Sequence, residues 1–285
     1  MEPTMDVSNN DMTAKAATLD DVLRDAGRVV VAFSGGADSA FLAARATQVL
    51  GRENVLCVTA VSASLATSEE RDCSDLAEEW NLDWRAVTTE ETSRPEYIAN
   101  EGDRCFHCKD ELMDVLVPIA EERHAVIVLG VNVDDLGDHR PGQRAAEAKG
   151  ARFPMVEAGL SKDDVRSISR EMGLRTWDKP AAACLASRVP YGTPVTVGLL
   201  ARIDRAEAAL REVLVASGVR PGNLRVRHAG DTVRIEVDPD VFPVIGAHHS
   251  QIVRALEAVG YRYVTLDLAG FRSGNLNWAL RPDSP

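Results

Sequence analysis

Positive charge is scarce in this chain: 32 Lys and Arg stand against 44 Asp and Glu, leaving a formal net charge of −12. That balance argues against a protein whose main task is to grip a nucleic-acid backbone, because phosphates are held by clustered basic side chains. No uninterrupted apolar run is long enough to cross a bilayer, and the amino terminus lacks the basic-then-apolar order of an export signal. No membrane partner is expected, and a soluble, cytoplasmic protein is. Internal repeats and low-complexity segments are missing as well. Lysine is absent from residues 181–285, where all 12 basic side chains are arginine beside 10 carboxylates. A guanidinium fork suits phosphate or carboxylate recognition, which is one account of this bias; a GC-rich genome is the other. The pattern Gly-x-x-x-x-Gly-Lys-Ser/Thr occurs nowhere, which excludes the loop of kinases that move a terminal phosphate.

What the chain does have is Val29-Val30-Val31-Ala32-Phe33-Ser34-Gly35-Gly36-Ala37-Asp38-Ser39, an apolar strand running into a glycine turn and then a helix. Two glycines let the backbone approach an anion, successive N–H groups form a concave nest, and the helix start adds its positive end. Asp38 is placed to hold a Mg²⁺ that screens phosphates. An ordinary glycine-rich turn is the plain alternative, yet strand, turn and the helix Ala40–Leu50 come in the order a phosphate site needs. The segment resembles the PP-loop of ATP pyrophosphatases. That likeness implies ATP, adenylation of an oxygen on the substrate, release of pyrophosphate, and attack by a nitrogen or sulfur nucleophile. It also implies nucleotide contacts from Ser34, Gly35, Gly36, Asp38 and Ser39, with Gly130, Asp138 and Arg140 joining from the region of a later strand. Asp134 and Asp135 are read as turn caps.

With 285 residues, two modest domains are expected. Residues 1–16 are polar and aperiodic, and read as a mobile tail. Apolar runs at Val29–Phe33, Val55–Val61, Trp84–Val87 and Val126–Val131 read as strands, separated by helices at Ala40–Leu50, Ser68–Trp80, Asp110–Arg123 and Ser161–Met172. The fold class that follows is α/β, a doubly wound parallel sheet over residues 17–180, with loop ends at the carboxyl edge forming the site. Periodicity stops over residues 173–194, a loop long enough to be functional. Beyond it, helix Val197–Ala216, strands Leu224–His228 and Val233–Val237, helix Ile245–Val259 and strand Tyr261–Leu266 make a smaller α+β domain over 181–285, read as carrying substrate and self-association.

Five cysteines without an export signal are not expected to be disulfide staples. Cys57 and Cys73 fall inside a strand and a helix, as core residues do. Cys105 and Cys108 form a Cys-x-x-Cys pair just before a helix, a spacing that lets both sulfurs face one metal or one cluster. Cys184 sits in Asp178-Lys179-Pro180-Ala181-Ala182-Ala183-Cys184-Leu185-Ala186-Ser187-Arg188 within the long loop. Together with Asp138-His139-Arg140-Pro141-Gly142, Tyr191-Gly192, Arg225-Val226-Arg227 and Tyr263–Gly274, these motifs resemble the ATP-dependent sulfur insertases of the LarE type across nearly the whole chain. The likeness implies adenylation of a carboxylate on pyridinium-3,5-biscarboxylic acid mononucleotide and displacement of AMP by sulfur. The Cys184 position carries that sulfur in the family. One variant of the family has this cysteine alone and surrenders its sulfur, leaving dehydroalanine. The presence of Cys105 and Cys108 favours instead a [4Fe-4S] cluster on Cys105, Cys108 and Cys184, with the fourth iron holding an added sulfide from a sulfide donor. A zinc site made of the same cysteines with His107 or water is the structural alternative.

Arg225 and Arg227 alternate on a strand and point the same way, toward a substrate phosphate or onto a solvated face. The family resemblance assigns Arg188 and Arg272 to substrate or AMP phosphate and puts Glu207 and Glu236 near the substrate. For Glu207 a surface salt bridge on its helix is the simpler account. His248 and His249 are adjacent on a helix, point apart, and are assigned to the surface. A homo-oligomer, a small mononucleotide substrate and no nucleic-acid partner complete the expectation. Two other functions compete: a PP-loop thiolase acting on tRNA, which the net charge disfavours, and a nucleotide-binding sensor that releases no pyrophosphate. No glutamine-hydrolysing domain can be located that would support an amide ligase.

Overall fold

A computed structural model describes residues 7–137, 141–180 and 182–272. Two compact units emerge, and each is described by itself. The first gathers the chain up to residue 62 with 68–91 and 105–182; the second gathers 63–67, 92–104 and the chain from 183 onward. The chain is therefore not divided by one cut near residue 180. Hydrogen bonds explain why two earlier segments join the second unit: Leu185 N–H donates to Ser64 O at 2.8 Å, and Val195 N–H to Ile98 O at 2.9 Å.

The first unit is built on strands β1 (Val29–Ala32), β2 (Val55–Val61), β3 (Trp84–Thr88) and β4 (Val126–Leu129), all parallel in the order β3-β2-β1-β4. Alternation along β1 sends Val29 and Val31 to one face and Val30 to the other, and each face is covered by its own apolar layer. One layer is supplied by α1 (Val7–Ala26), α2 (Ala37–Leu50), α3 (Thr67–Glu79) and residues around and within the later α7 (Pro154–Glu157) and α8 (Lys162–Glu171). Following α4 (Pro95–Ala99) of the second unit, α5 (Arg104–Arg123) and α6 (Pro141–Ala148) supply the other. Leu116 of α5 is fully buried there, and its truncation to Ala would cost about 2–5 kcal/mol. The expected doubly wound parallel sheet is what the structure has.

Three local expectations are corrected. Residues 1–6 lie outside the described residues, but the expected tail is helical from Val7, because Met12 and Ala16 pack on the core and Lys15 pairs with Asp164 at 3.1 Å. The helix expected from Asp110 begins at Arg104, so Cys105 and Cys108 lie within its first two turns. The helix expected over Ile245–Val259 is two helices broken at His248.

In the second unit β5 (Leu224–Ala229) pairs antiparallel with β6 (Thr232–Val237), which pairs parallel with β7 (Tyr263–Leu266). Packed on this sheet are α9 (Val197–Ala216), α10 (Phe242–Ala247) and α11 (His249–Ala258) around Leu210, Leu214, Val226, Val233 and Ile235. Among the described residues no helix is long and apolar enough to cross a membrane.

Candidate functional site

In the first unit β1 and β4 are neighbours at the point where strand order reverses, so a crevice opens at their carboxyl ends. The Ser34–Ser39 turn fills that edge. Gly35 adopts φ +65°, a conformation that favours glycine, and a methyl there would come within 2.9 Å of Cys73 Sγ. Ser39 turns its hydroxyl back into the loop: Oγ accepts from Ser34 N–H at 3.2 Å and donates to Gly36 O at 3.2 Å. Gly36 is the N-cap of α2 and brings no side-chain cap, leaving the first helical N–H groups to an anion. Gly130, just past β4, abuts this helix start, and a Cβ at that position would stand 2.7 Å from Ser39 N.

Two lysines that sequence reasoning passed over converge on the loop. Lys162, the first residue of α8, places Nζ 3.3 Å from Asp38 Oδ2, while the buried Asn132 donates to Asp38 Oδ1 at 3.1 Å. Lys179 donates to Gly35 O at 3.1 Å, to Glu69 at 2.8 Å and to Asp72 at 2.6 Å. Burial disfavours its charge, but the hydrogen bonds to Asp72 and Glu69 outweigh that and raise the ammonium pKa. A trans peptide points its N–H opposite to its C=O, so fixing Gly35 O on Lys179 directs the Gly36 N–H to the other side. No local signal marks either lysine, since each reaches the loop from more than 120 residues away. Asp135 accepts from Asn132 N–H at 3.2 Å and Asp134 from Lys162 N–H at 2.7 Å, consistent with their reading as turn residues. Asp138 and Arg140 lie outside the described residues.

In the second unit a buried network of arginines and glutamates surrounds the Cys184 loop. Arg188 forms a two-pronged pair with Glu207, Nε to Oε1 at 2.8 Å and Nη2 to Oε2 at 3.1 Å, and also donates to Cys184 O at 3.0 Å. Arg227 pairs with Glu236 at 2.9 Å and donates to Ser187 O at 2.6 Å. Arg225, buried over the ring of Phe271, has its pKa pushed down to about 10 by burial and by the charges of Arg188 and Arg227. It is still charged at neutral pH.

Two of the alternatives to substrate binding fall here. Arg225 and Arg227 are not a solvated face, and Glu207 is not a surface partner; all three are buried, and Glu236 is fully so. The clue for Glu207 was present in α9, where it shares an apolar stripe with Ile203, Leu210 and Leu214. Arg272 stands apart, half exposed, with Nη2 3.8 Å from Asp267. Asp267 also faces Arg234 at 3.6 Å, which pairs with Glu236 at 3.1 Å.

Cys57 and Cys73 are buried, and burial pushes their thiols up to about 12 and about 11, as core cysteines should be. Cys105 is exposed, whereas Cys108 and Cys184 are half-buried. Cys105 and Cys108 are three residues apart on one helix face. Among the described residues no three His, Cys, Asp or Glu side chains are gathered as a metal-ligating group. A Mg²⁺ at Asp38 needs no such cage, because this ion takes one or two carboxylates and fills its shell with water and phosphate oxygens. His249 is exposed on the surface, as expected, and His248 ends α10.

Comparison with known proteins places these features in company. A family model described as NAD synthase matches residues 13–101, which hold the phosphate loop. The chain is 38% identical over 268 residues to the pyridinium-3,5-bisthiocarboxylic acid mononucleotide synthase of Lactiplantibacillus plantarum, covering 93% of this chain and 95% of that protein. An uncharacterized protein of Synechocystis is 40% identical, covering 94% and 99% respectively. One component of the glutamine-hydrolyzing GMP synthase of Thermoplasma acidophilum is 29% identical over 65% of this chain and 66% of its own length.

Proposed function

Because the chain belongs to the family of ATP-dependent sulfur insertases of the LarE type, we propose that it adenylates a carboxylate of pyridinium-3,5-biscarboxylic acid mononucleotide and exchanges AMP for sulfur. The observation that carries this reading is the uncapped start of α2 behind Ser34–Ser39, set at the strand-order reversal with Asp38 and two lysines around it. Ser34, Gly35, Gly36 and Ser39 cradle the phosphates. Asp38 holds Mg²⁺, a hard oxygen ligand for a hard ion, once Lys162 yields its place or turns to a phosphate. Gly130, Asp138 and Arg140 belong to the same nucleotide side.

On the substrate side Arg225 takes the mononucleotide phosphate. Arg225 is buried beside Arg188 and Arg227, and in that low-dielectric cluster of guanidinium groups an anion is welcome. Arg272 is a second, outer contact for the substrate. The protein acts as a homo-oligomer on a small molecule in the cytoplasm, with sulfide from a donor.

Sulfur has two routes. A [4Fe-4S] cluster on Cys105, Cys108 and Cys184 would supply a sulfide to replace AMP. In the other route Cys184 thiolate attacks the acyl adenylate and expels AMP; its Cα proton and Cβ–S bond are then lost, leaving dehydroalanine and a thiocarboxylate. The presence of Cys105 and Cys108 beside Cys184 in the sequence favours the first route, whereas the second needs one thiol.

The test is pyrophosphate release by the intact protein with ATP, Mg²⁺ and the biscarboxylate mononucleotide. Substrate-dependent release supports the reading, and none at all would turn it into that of a nucleotide sensor. Intact-mass measurement after one turnover decides the sulfur route, because sacrifice removes the elements of H₂S from Cys184.

A further inference from the structure

Two buried polar residues upstream of the cysteine pair reach the Cys184 loop without touching its thiol. Asn100 is fully buried in the left-handed region at φ +57°. Its Nδ2 donates to Pro190 O at 2.7 Å and Thr193 O at 2.9 Å, and its own carbonyl accepts from Gly192 N–H at 3.1 Å. Its Oδ1 accepts from Arg104 Nη1, which also donates to Ala186 O at 3.0 Å. The Arg104 guanidinium lies 5.7 Å from the centre of the Tyr191 ring and is 3% exposed.

We infer that Asn100 and Arg104 are positioning residues for Cys184, fixing the loop downstream of the thiol as Arg188 fixes it at the thiol's own carbonyl. The pair ties down residues 186, 190, 192 and 193 from one point. Burying a guanidinium costs desolvation that an apolar filler would avoid, so packing alone is a poor reason for Arg104. Both bonds leave one nitrogen, Nη1, whose two N–H directions are locked in the guanidinium plane, whereas the N–H groups of a shorter, freely rotating ammonium are not. A sulfur nucleophile must meet its target within a few tenths of an ångström, and a loop without regular structure supplies that only if its backbone is held.

The inference rests on the sulfur-insertion reading, so its test has one arm that does not. In Arg104→Met, with Arg104→Lys and Asn100→Ala beside it, thiocarboxylate formation should fall about tenfold or more while single-turnover pyrophosphate release stays within about twofold. Arg104→Lys should recover only a minor part. Independently, iodoacetamide labelling of Cys184, read by peptide mass spectrometry with the buried Cys57 as internal reference, should quicken about threefold or more as the loop loosens. Parallel loss of both half-reactions with unchanged labelling, or no change in either, overturns the assignment. Should the wild type release no pyrophosphate, the functional reading falls and the labelling still judges the strut. If Arg104→Met does not fold, Arg104→Lys carries the same comparison.

Discussion

The two units prepare for anions in opposite ways. In the first, the proposed ligand would be met by backbone N–H groups of a glycine turn and by the open end of α2, with Asp38 and Lys162 at the rim. In the second, guanidinium groups are buried and held by buried carboxylates. A backbone site needs only the right dihedral angles and stays soluble and cheap when empty. A buried arginine site is already committed to its charge, so stability and binding are entangled there. The first unit should therefore lose function without losing stability, and the second should lose both together.

The strongest attempt to break that contrast is Asp38→Ala. Pyrophosphate release should fall about 100-fold or more, while the urea midpoint barely moves, since Asp38 stands at a partly exposed rim; near-normal release would remove ATP chemistry from the crevice. In the second unit Glu236→Ala leaves Arg227 buried without its carboxylate and should cost about 3–5 kcal/mol in chemical denaturation. A loss under about 1 kcal/mol would mean that water already compensates the network.

Arg225→Met sharpens the comparison further. The substrate KM should rise about tenfold with the ATP KM unchanged, because a phosphate held away from the reacting carboxylate is bound equally in ground and transition states. Arg227 is unsuited to this test, as it also holds Ser187 O. The smallest effect concerns Lys179 and pH. Its folded pKa is raised above 10.5, so its stabilisation is complete below that value and is lost as pH rises through the higher folded value. The stability gap between wild type and Lys179→Met should be level from neutral pH to about 10 and shrink only above it, whereas a gap that shrinks near pH 7 would assign it to another group.

Legibility in the sequence follows the same division. β1 to β4 and the phosphate turn could be read because short continuous apolar runs and paired glycines are local signals. Helix α9 was legible end to end because its apolar residues recur every three or four positions. The arginine network was not, since Arg188 finds Glu207 19 residues on and Arg227 finds Ser187 40 residues back, contacts that no local pattern carries. The first turn of α5 was hidden likewise: Arg104 is anchored by a carbonyl 82 residues away. The amino-terminal half of α1 gained its order from packing on the core and from Lys15 meeting Asp164, a tertiary gain invisible to propensity.

Gly130 acts as a spacer whose thickness is set by a missing methyl group. With Ser39 N only 2.7 Å from where that carbon would sit, the width of this crevice is fixed by the absence of a side chain rather than by any attraction. Gly130→Ala is then a wedge: it must drive the end of β4 and the head of α2 apart, shifting every N–H in the loop against the phosphates at once. If the crevice takes ATP as proposed, its affinity can be tuned from this position without altering a single group that meets the ligand.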